Sequence, residues 1–462
     1  MWILWIAFLV AGARADVPAV TLEEAAASAR QHASGVEIAA AQLDAAAARH
    51  DQTVDSRLPT LGVSGAVSVY TEPYTANFFT SGGAAPLDCS GQNTPQFIEI
   101  CNTFQGLLDA FATPIPIHEQ VTTALTVRAT EPLTGQAVLG AQEKAAALTE
   151  QASEQQLAAA VADAEVQARD LWYLALQAER QLEIANAQVT SLETRVQTAQ
   201  VAFRAGALTE SDRLLAEVAL AQAKQSVIQI QALRDTTYAR LGAAMGNGGS
   251  PVRPAASGEI VSPRAAPPAE RLIDMALAAR PELRAARSSA DAASKTADAS
   301  GLSRLPQLNA VAAYTNLQGM GPFAETNAAY VGATLDWNVW TWGARNRQVD
   351  ALRAQATQAR AQAEAAETAA RVDVQAKVLA LQASGAAYEA SAATLAQAEA
   401  SLRSQEKRQQ AGAGAMSDLL DAQSALVRAQ STQANALYDA RRAEVALLRA
   451  VGTDPWGTGE TP

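Results

Sequence analysis

The chain is written twice. Arg57-Leu58-Pro59-Thr60-Leu61 returns as Arg304-Leu305-Pro306-Gln307-Leu308, and Ala205-Gly206-Ala207-Leu208-Thr209-Glu210-Ser211-Asp212 returns as Ala411-Gly412-Ala413-Gly414-Ala415-Met416-Ser417-Asp418. An interval of about 200 residues is too long for a solenoid unit, so it implies duplication of a half-structure. Each copy reads helix, proline, strand, loop, strand, very long helix, glycine turn, helix. The fold must therefore be built from two such halves, each joining short strands to helices of coiled-coil length.

A residue preceding proline is pushed out of the α region, so the first helix of each half stops before Pro59 or Pro306. The apolar period then becomes two. Leu61, Val63, Val67 and Val69 alternate with Gly62, Ser64, Ala66 and Ser68; Val121, Leu125, Val127 and Ala129 alternate with Thr122, Thr126, Arg128 and Thr130. In the second half Val331, Ala333, Leu335, Trp337 and Val339 alternate with Gly332, Thr334, Asp336 and Asn338, and a weaker strand carries Leu308, Ala310, Ala312 and Tyr314. Segments of about ten residues suit tilted strands crossing a membrane, with the small polar face toward a wet lumen. An ordinary soluble antiparallel sheet fits each strand equally well. Tyr330, Trp337, Trp340 and Trp342, clustered at strand ends as an interfacial belt would be, favour the membrane. Four strands cannot close a barrel when about eight is the smallest, so several copies must share one. The polar loop 71–120 between the first two strands is much longer than its second-half equivalent, and long loops of such barrels face outward.

The residues are 49% hydrophobic but only 5% aromatic, so alanine supplies much of the apolar content and favours long helices in close contact. Residues 21–55 read as one helix opened by Thr21-Leu22-Glu23-Glu24. A helix from Gln136 to Ala205 carries an unbroken seam: Leu157, Val161, Ala164, Ala168, Leu171, Ala175, Ala178, Leu182, Ala185, Val189, Leu192, Val196, Ala199 and Phe203. Alternating steps of four and three specify left-handed supercoiled packing. Its partner, Ala344 to Gln410, repeats the pattern at Val349, Leu352, Ala356, Ala359, Ala363, Ala366 and Ala370. Gly206 and Gly412 end these helices as left-handed caps, and new helices start near Ser211 and Ser417. The chain then divides into 1–15, 16–56 (helical), 57–135 (first hairpin), 136–246 (first long helix pair), 247–268 (Gly/Pro/Ser-rich linker), 269–303 (short helices), 304–343 (second hairpin), 344–452 (second long helix pair) and a tail, 453–462.

Residues Trp2 to Gly12 form a short apolar run followed by Ala13-Arg14-Ala15, which reads as a secretory signal peptide with cleavage before Asp16. No Lys or Arg precedes the run, which leaves open a start further upstream. In an exported chain Cys89 and Cys101 suit a loop disulfide, with a metal pair near His118 as the alternative. A net charge of -12 argues against nucleic acid. No phosphate-binding loop or nucleophile elbow occurs, and His32, His50 and His118 are scattered. The reading is of a protein that is not an enzyme and carries no cofactor or metal. An exported alanine-rich coiled-coil structural protein remains the alternative to a channel.

In this order of elements the chain resembles the TolC-type outer-membrane channel family, the exit ducts of Gram-negative efflux pumps and type I secretion systems. The resemblance covers roughly residues 21–452. It rests on the duplication, on Arg-Leu-Pro-x-Leu before each first strand, and on the strand end Leu335-Asp336-Trp337-Asn338-Val339-Trp340-Thr341-Trp342-Gly343 with its copy Glu131-Pro132-Leu133-Thr134-Gly135. The third element is the Gly-(five)-Asp-x-x-x-Ala turn at each helical tip.

The resemblance implies an α+β membrane protein, a homotrimer whose 12-stranded β-barrel continues as a 12-helix α-barrel into the periplasm. It implies partners as well: a periplasmic adaptor and an inner-membrane pump of RND or ABC type. Asp418 and Asp421 match aperture-lining positions, and Asp212 matches the first-half tip acid. A carboxylate in a first helical turn also complements the helix dipole with no further role. Phe203, Gly206, Leu208, Ser211, Gly412, Met416 and Ser417 are implied as adaptor contacts. At the closing network the chain departs from the family, carrying Gln409 and Gly414 where a Tyr and an Arg are expected; Arg204, Arg213 and Arg408 are the nearby substitutes. The absence of a lipid-bearing cysteine leans toward the secretion or multipurpose branch, and the cargo is not legible.

Overall fold

The computed structural model describes residues 17–76, 87–89, 94–112, 115–255, 264–322, 324–411 and 413–456, without the side chains of 109–112. The signal-peptide reading of 1–15, the family's Gly412 and parts of the 71–120 loop, the linker and the tail lie outside the described residues. The chain forms two compact units: residues 1–48, 147–292 and 355–462, and residues 49–146 and 293–354.

In the first unit, β1 (Ala19–Val20) pairs in parallel with β5 (Arg253–Pro254). Helix α1 (Leu22–His32) opens on a capping box, in which Glu24 N–H donates to Thr21 Oγ1 at 3.3 Å and Thr21 N–H to the Glu24 carboxylate at 2.8 Å. Ala33 turns extended and separates α1 from α2 (Ser34–Asp55), so the single helix expected over 21–55 is two. Helices α4 (Gln136–Arg204) and α8 (Ala344–Gln410) are the long pair, and each folds back into a shorter helix, α5 (Glu210–Ala244) and α9 (Met416–Val451). At about 1.5 Å per residue, α4 is on the order of 100 Å long. Helices α6 (Ala269–Ala279) and α7 (Pro281–Leu302) open the second half, as α1 and α2 open the first.

The seam is where the α4 core begins. Ala164, Ala168, Ala175, Ala178, Ala185 and Ala199 are buried, and so are Ala356, Ala363 and Ala370 on α8. Methyl-sized side chains let helix axes approach closely, while bulk is concentrated elsewhere. Trp172, Tyr173 and Leu176 flank the α4 seam and pack with Leu241, Met245, Tyr438 and Val445 from α5 and α9. Trp172 donates its indole N–H to the Val20 carbonyl at 3.0 Å, tying α4 to β1. A second cluster joins Leu272 of α6, Val374, Val378 and Leu381 of α8, and Leu447 of α9.

Among the described residues, charge is buried in pairs. Glu444, fully buried, accepts from Arg441 and from the Arg264 N–H at 2.6 Å each. Arg449 bridges Asp163 (2.5 Å) and Glu282 (2.9 Å), and Arg280 bridges Glu282 (3.2 Å) and Asp373 (3.0 Å). Burial opposes the charge on Glu282, but its own backbone N–H, Arg449 and Arg280 outweigh that and hold the carboxyl below its ordinary range.

The second unit holds the sheet. Strands β2 (Thr60–Val69), β4 (Ile115–Pro132), β6 (Gln307–Met320) and β7 (Asn327–Asp336) pair antiparallel in that order, so β2 and β7 are its edges; β3 (Tyr74–Ala76) adds to the start of β4. The register Leu61↔Ala129↔Ala312↔Val331 puts the apolar residues of all four strands on one face. That face is open: Leu61, Val63, Val67, Val69, Val331 and Leu335 are all strongly exposed. The register Gly62↔Arg128↔Ala313↔Tyr330 defines the opposite face, where Thr122, Thr126 and Ser64 also sit.

This register corrects two readings. Tyr330 lies on the polar face, where its hydroxyl accepts from Arg128 Nη2 at 3.4 Å, so it does not join the apolar-face aromatics. Strand β7 begins and ends earlier than its alternation suggested, and Trp337, Trp340 and Trp342 follow it in non-strand backbone. The turn is set by Trp342, whose φ of 53° is left-handed, and all three rings remain exposed, Trp340 and Trp342 meeting edge to face. The loop 71–120 also contains a helix, α3 (Pro95–Ala112), bound to the loop by the Cys89–Cys101 disulfide.

Candidate functional site

The two turns that end α4 and α8 were read as equivalent, and the first unit holds them together. Leu208 of the first turn packs in one cluster with Val196, Ala199 and Ala216 and with Met416 and Leu419 of the second. Met416 and Leu419 are 4% and 2% exposed. Met416 is therefore an internal bolt between the turns and is withdrawn from the docking surface. Phe203, Gly206, Ser211 and Ser417 are exposed and Leu208 is half-buried; Gly412 lies outside the described residues.

The turns differ in chemistry. Gly206 takes a φ of 73°, the left-handed conformation that ends α4. Thr209 then caps α5: its hydroxyl donates to Asp212 Oδ2 at 2.6 Å, and Asp212 N–H returns a bond to Thr209 Oγ1 at 3.2 Å. The Asp212 carboxylate is thus occupied by its own helix. In the second copy Ala415 stands at the cap, with no side chain to bond, and α9 starts without one. Asp418 occupies the place of Asp212 but has no hydroxyl three residues back. Asp418 and Asp421 are both exposed, and neither makes a hydrogen bond or ion pair among the described residues. At i and i+3 they face the same way.

Of the arginines expected to lock the turns, Arg204 bonds back to the Gln200 carbonyl at 3.3 Å. Arg213 bonds Glu217 at 2.7 Å and covers the Phe203 ring at 5.5 Å, so both stay within their own hairpin. The ion pair that crosses between long helices is Arg195 of α4 with Glu406 of α8, at 2.8 Å. Beside it, Gln423 Nε2 donates to Ser191 Oγ at 2.8 Å, linking α9 to α4. Neither is legible in the sequence, because these residues sit from about one to nearly four turns inside their helices, away from the glycine motif. Ser191, Thr194, Arg195, Thr198 and Gln409 line a cavity of about 330 Å³ there. Gly414 closes the second turn tightly: a Cβ there would meet Gln409 N at 3.0 Å and Arg408 C at 3.2 Å. That crowding gives the physical sense of a glycine at this position.

Residues 272–453 match the family model for outer membrane efflux protein. Solved structures with the same fold include the Campylobacter jejuni CmeC outer membrane channel, with a TM-score of 0.76, 13% identity, and coverage of 94% of this chain and 86% of that one. The outer membrane protein VceC of Vibrio cholerae gives a TM-score of 0.73 at 18% identity, covering 94% and 96%. The open state of the Neisseria gonorrhoeae MtrE outer membrane channel gives 0.70 at 16% identity, covering 94% and 89%. No curated protein sequence matches the chain. The match over residues 272–453 and the shared fold bear out the resemblance to outer membrane efflux channels.

Proposed function

We propose that this chain is an outer membrane efflux channel, one third of a trimeric exit duct that works with a periplasmic adaptor and an inner-membrane pump. The observation that carries this is the incomplete sheet. Its apolar face is exposed across all four strands, and β2 and β7 each leave an edge unpaired. A lone open sheet of this kind is an aggregation site in water, whereas edge-to-edge pairing of three copies in lipid satisfies both the face and the edges. Twelve strands then close a barrel, and the residues opposite the apolar face, including Arg128 and Tyr330, line its lumen. The alanine seams suit a matching helical wall.

The channel does no chemistry on its cargo and is gated at the helical turns. Asp418 and Asp421, free of capping duty, supply two stacked carboxylate rings when three copies meet, which favour cations and hold multivalent ones. Phe203, Gly206, Leu208, Ser211 and Ser417 offer the adaptor a surface of small groups around one aromatic.

Detergent extraction followed by native mass and planar-bilayer recording tests both parts. The expected result is a trimer that conducts, with block by periplasmic-side multivalent cations reduced at least tenfold in the Asp418→Ala, Asp421→Ala double variant. A protein that washes from membranes with carbonate as an elongated soluble particle overturns the duct. A conducting trimer whose block is unchanged in the double variant overturns the gate alone.

A further inference from the structure

The helix inside the long loop serves no part of the duct as described so far. Helix α3 shows Phe97, Ile100, Phe104 and Leu107 exposed by 52%, 64%, 54% and 52%. Their steps of three, four and three form a helix-packing seam. The neighbouring face is already used: Cys101 is bonded to Cys89, Gln105 Oε1 accepts from the Leu87 N–H at 2.9 Å, and Leu108 is half-buried. The loop thus fixes one side of the helix and presents the other. A groove of about 920 Å³ runs along the presented side, lined by Gln96, Glu99, Ile100, Thr103, Phe104 and Leu107.

We propose that this seam is a self-association surface, filled by the α3 seam of a neighbouring copy. Two observations select that occupant. The only charged residues in α3 are Glu99 and Asp109, and it has no Lys or Arg. Helices that lie on a membrane surface carry a basic polar face, and this one does not. Finally, only residues 113 and 114 separate α3 from β4, whose sheet ends in the two unpaired edges. Pairing of those edges delivers the α3 helices of adjacent copies to the same side of the barrel.

The seam rests on the trimeric reading and deepens it: the copies are joined at the external loops as well as along the strands.

The test places the photo-crosslinker p-benzoylphenylalanine at Phe104 in the full-length protein in native membranes. Illumination is expected to give covalent dimers and trimers, and Ile100→Glu with Leu107→Glu in the same chain is expected to cut their yield at least tenfold while the trimer persists on native mass. The Cys89–Cys101 bond, scored by thiol labelling, checks that the variant loop has folded. Adducts with lipid or lipopolysaccharide, or with the same chain only, in an intact trimer overturn the seam and leave the duct standing. A protein that forms no trimer overturns the duct, and the seam with it.

Discussion

The turn 205–212 and the turn 411–418 descend from one sequence, yet they have divided the labour of their acids. In the first, Thr209 and Asp212 close a capping box, and the carboxylate is committed to holding α5. In the second, alanine replaces that threonine and Asp418 is left facing solvent beside Asp421. A difference of one hydroxyl separates a structural carboxylate from one available to a passing ion. Motif matching treats the two as copies, and only the residue three places earlier tells them apart.

The comparison assumes that the turns move as one body, and Leu419 is the place to break that. It is 2% exposed and touches residues of both hairpins. Leu419→Ala is expected to cost about 2–5 kcal/mol locally, from the lost burial of the side chain and the enlarged cavity it leaves. Amide exchange should rise together in 204–213 and 410–419. Faster exchange in the second turn alone means that the turns are independent, and the bolt assignment of Met416 and Leu419 fails.

The next largest effect belongs to the capping box. Thr209→Ala is expected to lose about 1 kcal/mol of stability, read as faster exchange in the first turn of α5. Asp212→Ala should do nearly the same, since it removes the other half of the box. Asp418→Ala is expected to leave stability close to unchanged. Equal losses at 212 and 418 would return both acids to a common dipole role and remove the asymmetry.

How far these distinctions were legible differs by element. The strand phases followed from a period of two, and the register confirms Leu61, Val127 and Val331 on the apolar side. The same parity, applied to Tyr330, places it on the opposite face from Val331. Grouping it with the tryptophans by proximity in sequence overlooked a signal that was present. Other features were legible only in part or not at all. Helix α3 carries two acids and no base in a loop spotted with Gly and Pro, and its neighbours in space, not its periodicity, show that it is half-covered. The burial of Met416 depends on Leu208 and Val196, partners from the other hairpin that no local pattern names. Likewise the alanine seams gave the helices their packing face but not the bulk beside it: Trp172, Tyr173 and Leu176 fall off the heptad, and their role depends on α5 and α9 returning to meet them.

The smallest effect gives the sharpest comparison. Ala415→Thr restores the hydroxyl that the second copy lacks, at a backbone already extended (φ -74°, ψ 149°) as the equivalent Thr209 is (φ -81°, ψ 160°). The new side chain can therefore reach the Asp418 N–H without rearrangement, and the Asp418 carboxylate can bond back, reproducing the first-half box. The expected gain is a few tenths of a kcal/mol to about 1 kcal/mol, seen as slower exchange at the start of α9. Cation block should weaken at the same time, because one of the two stacked carboxylates has been turned inward onto its own helix. A stabilised turn with undiminished block would mean that Asp421 alone holds the ion, and that the freedom of Asp418 is incidental.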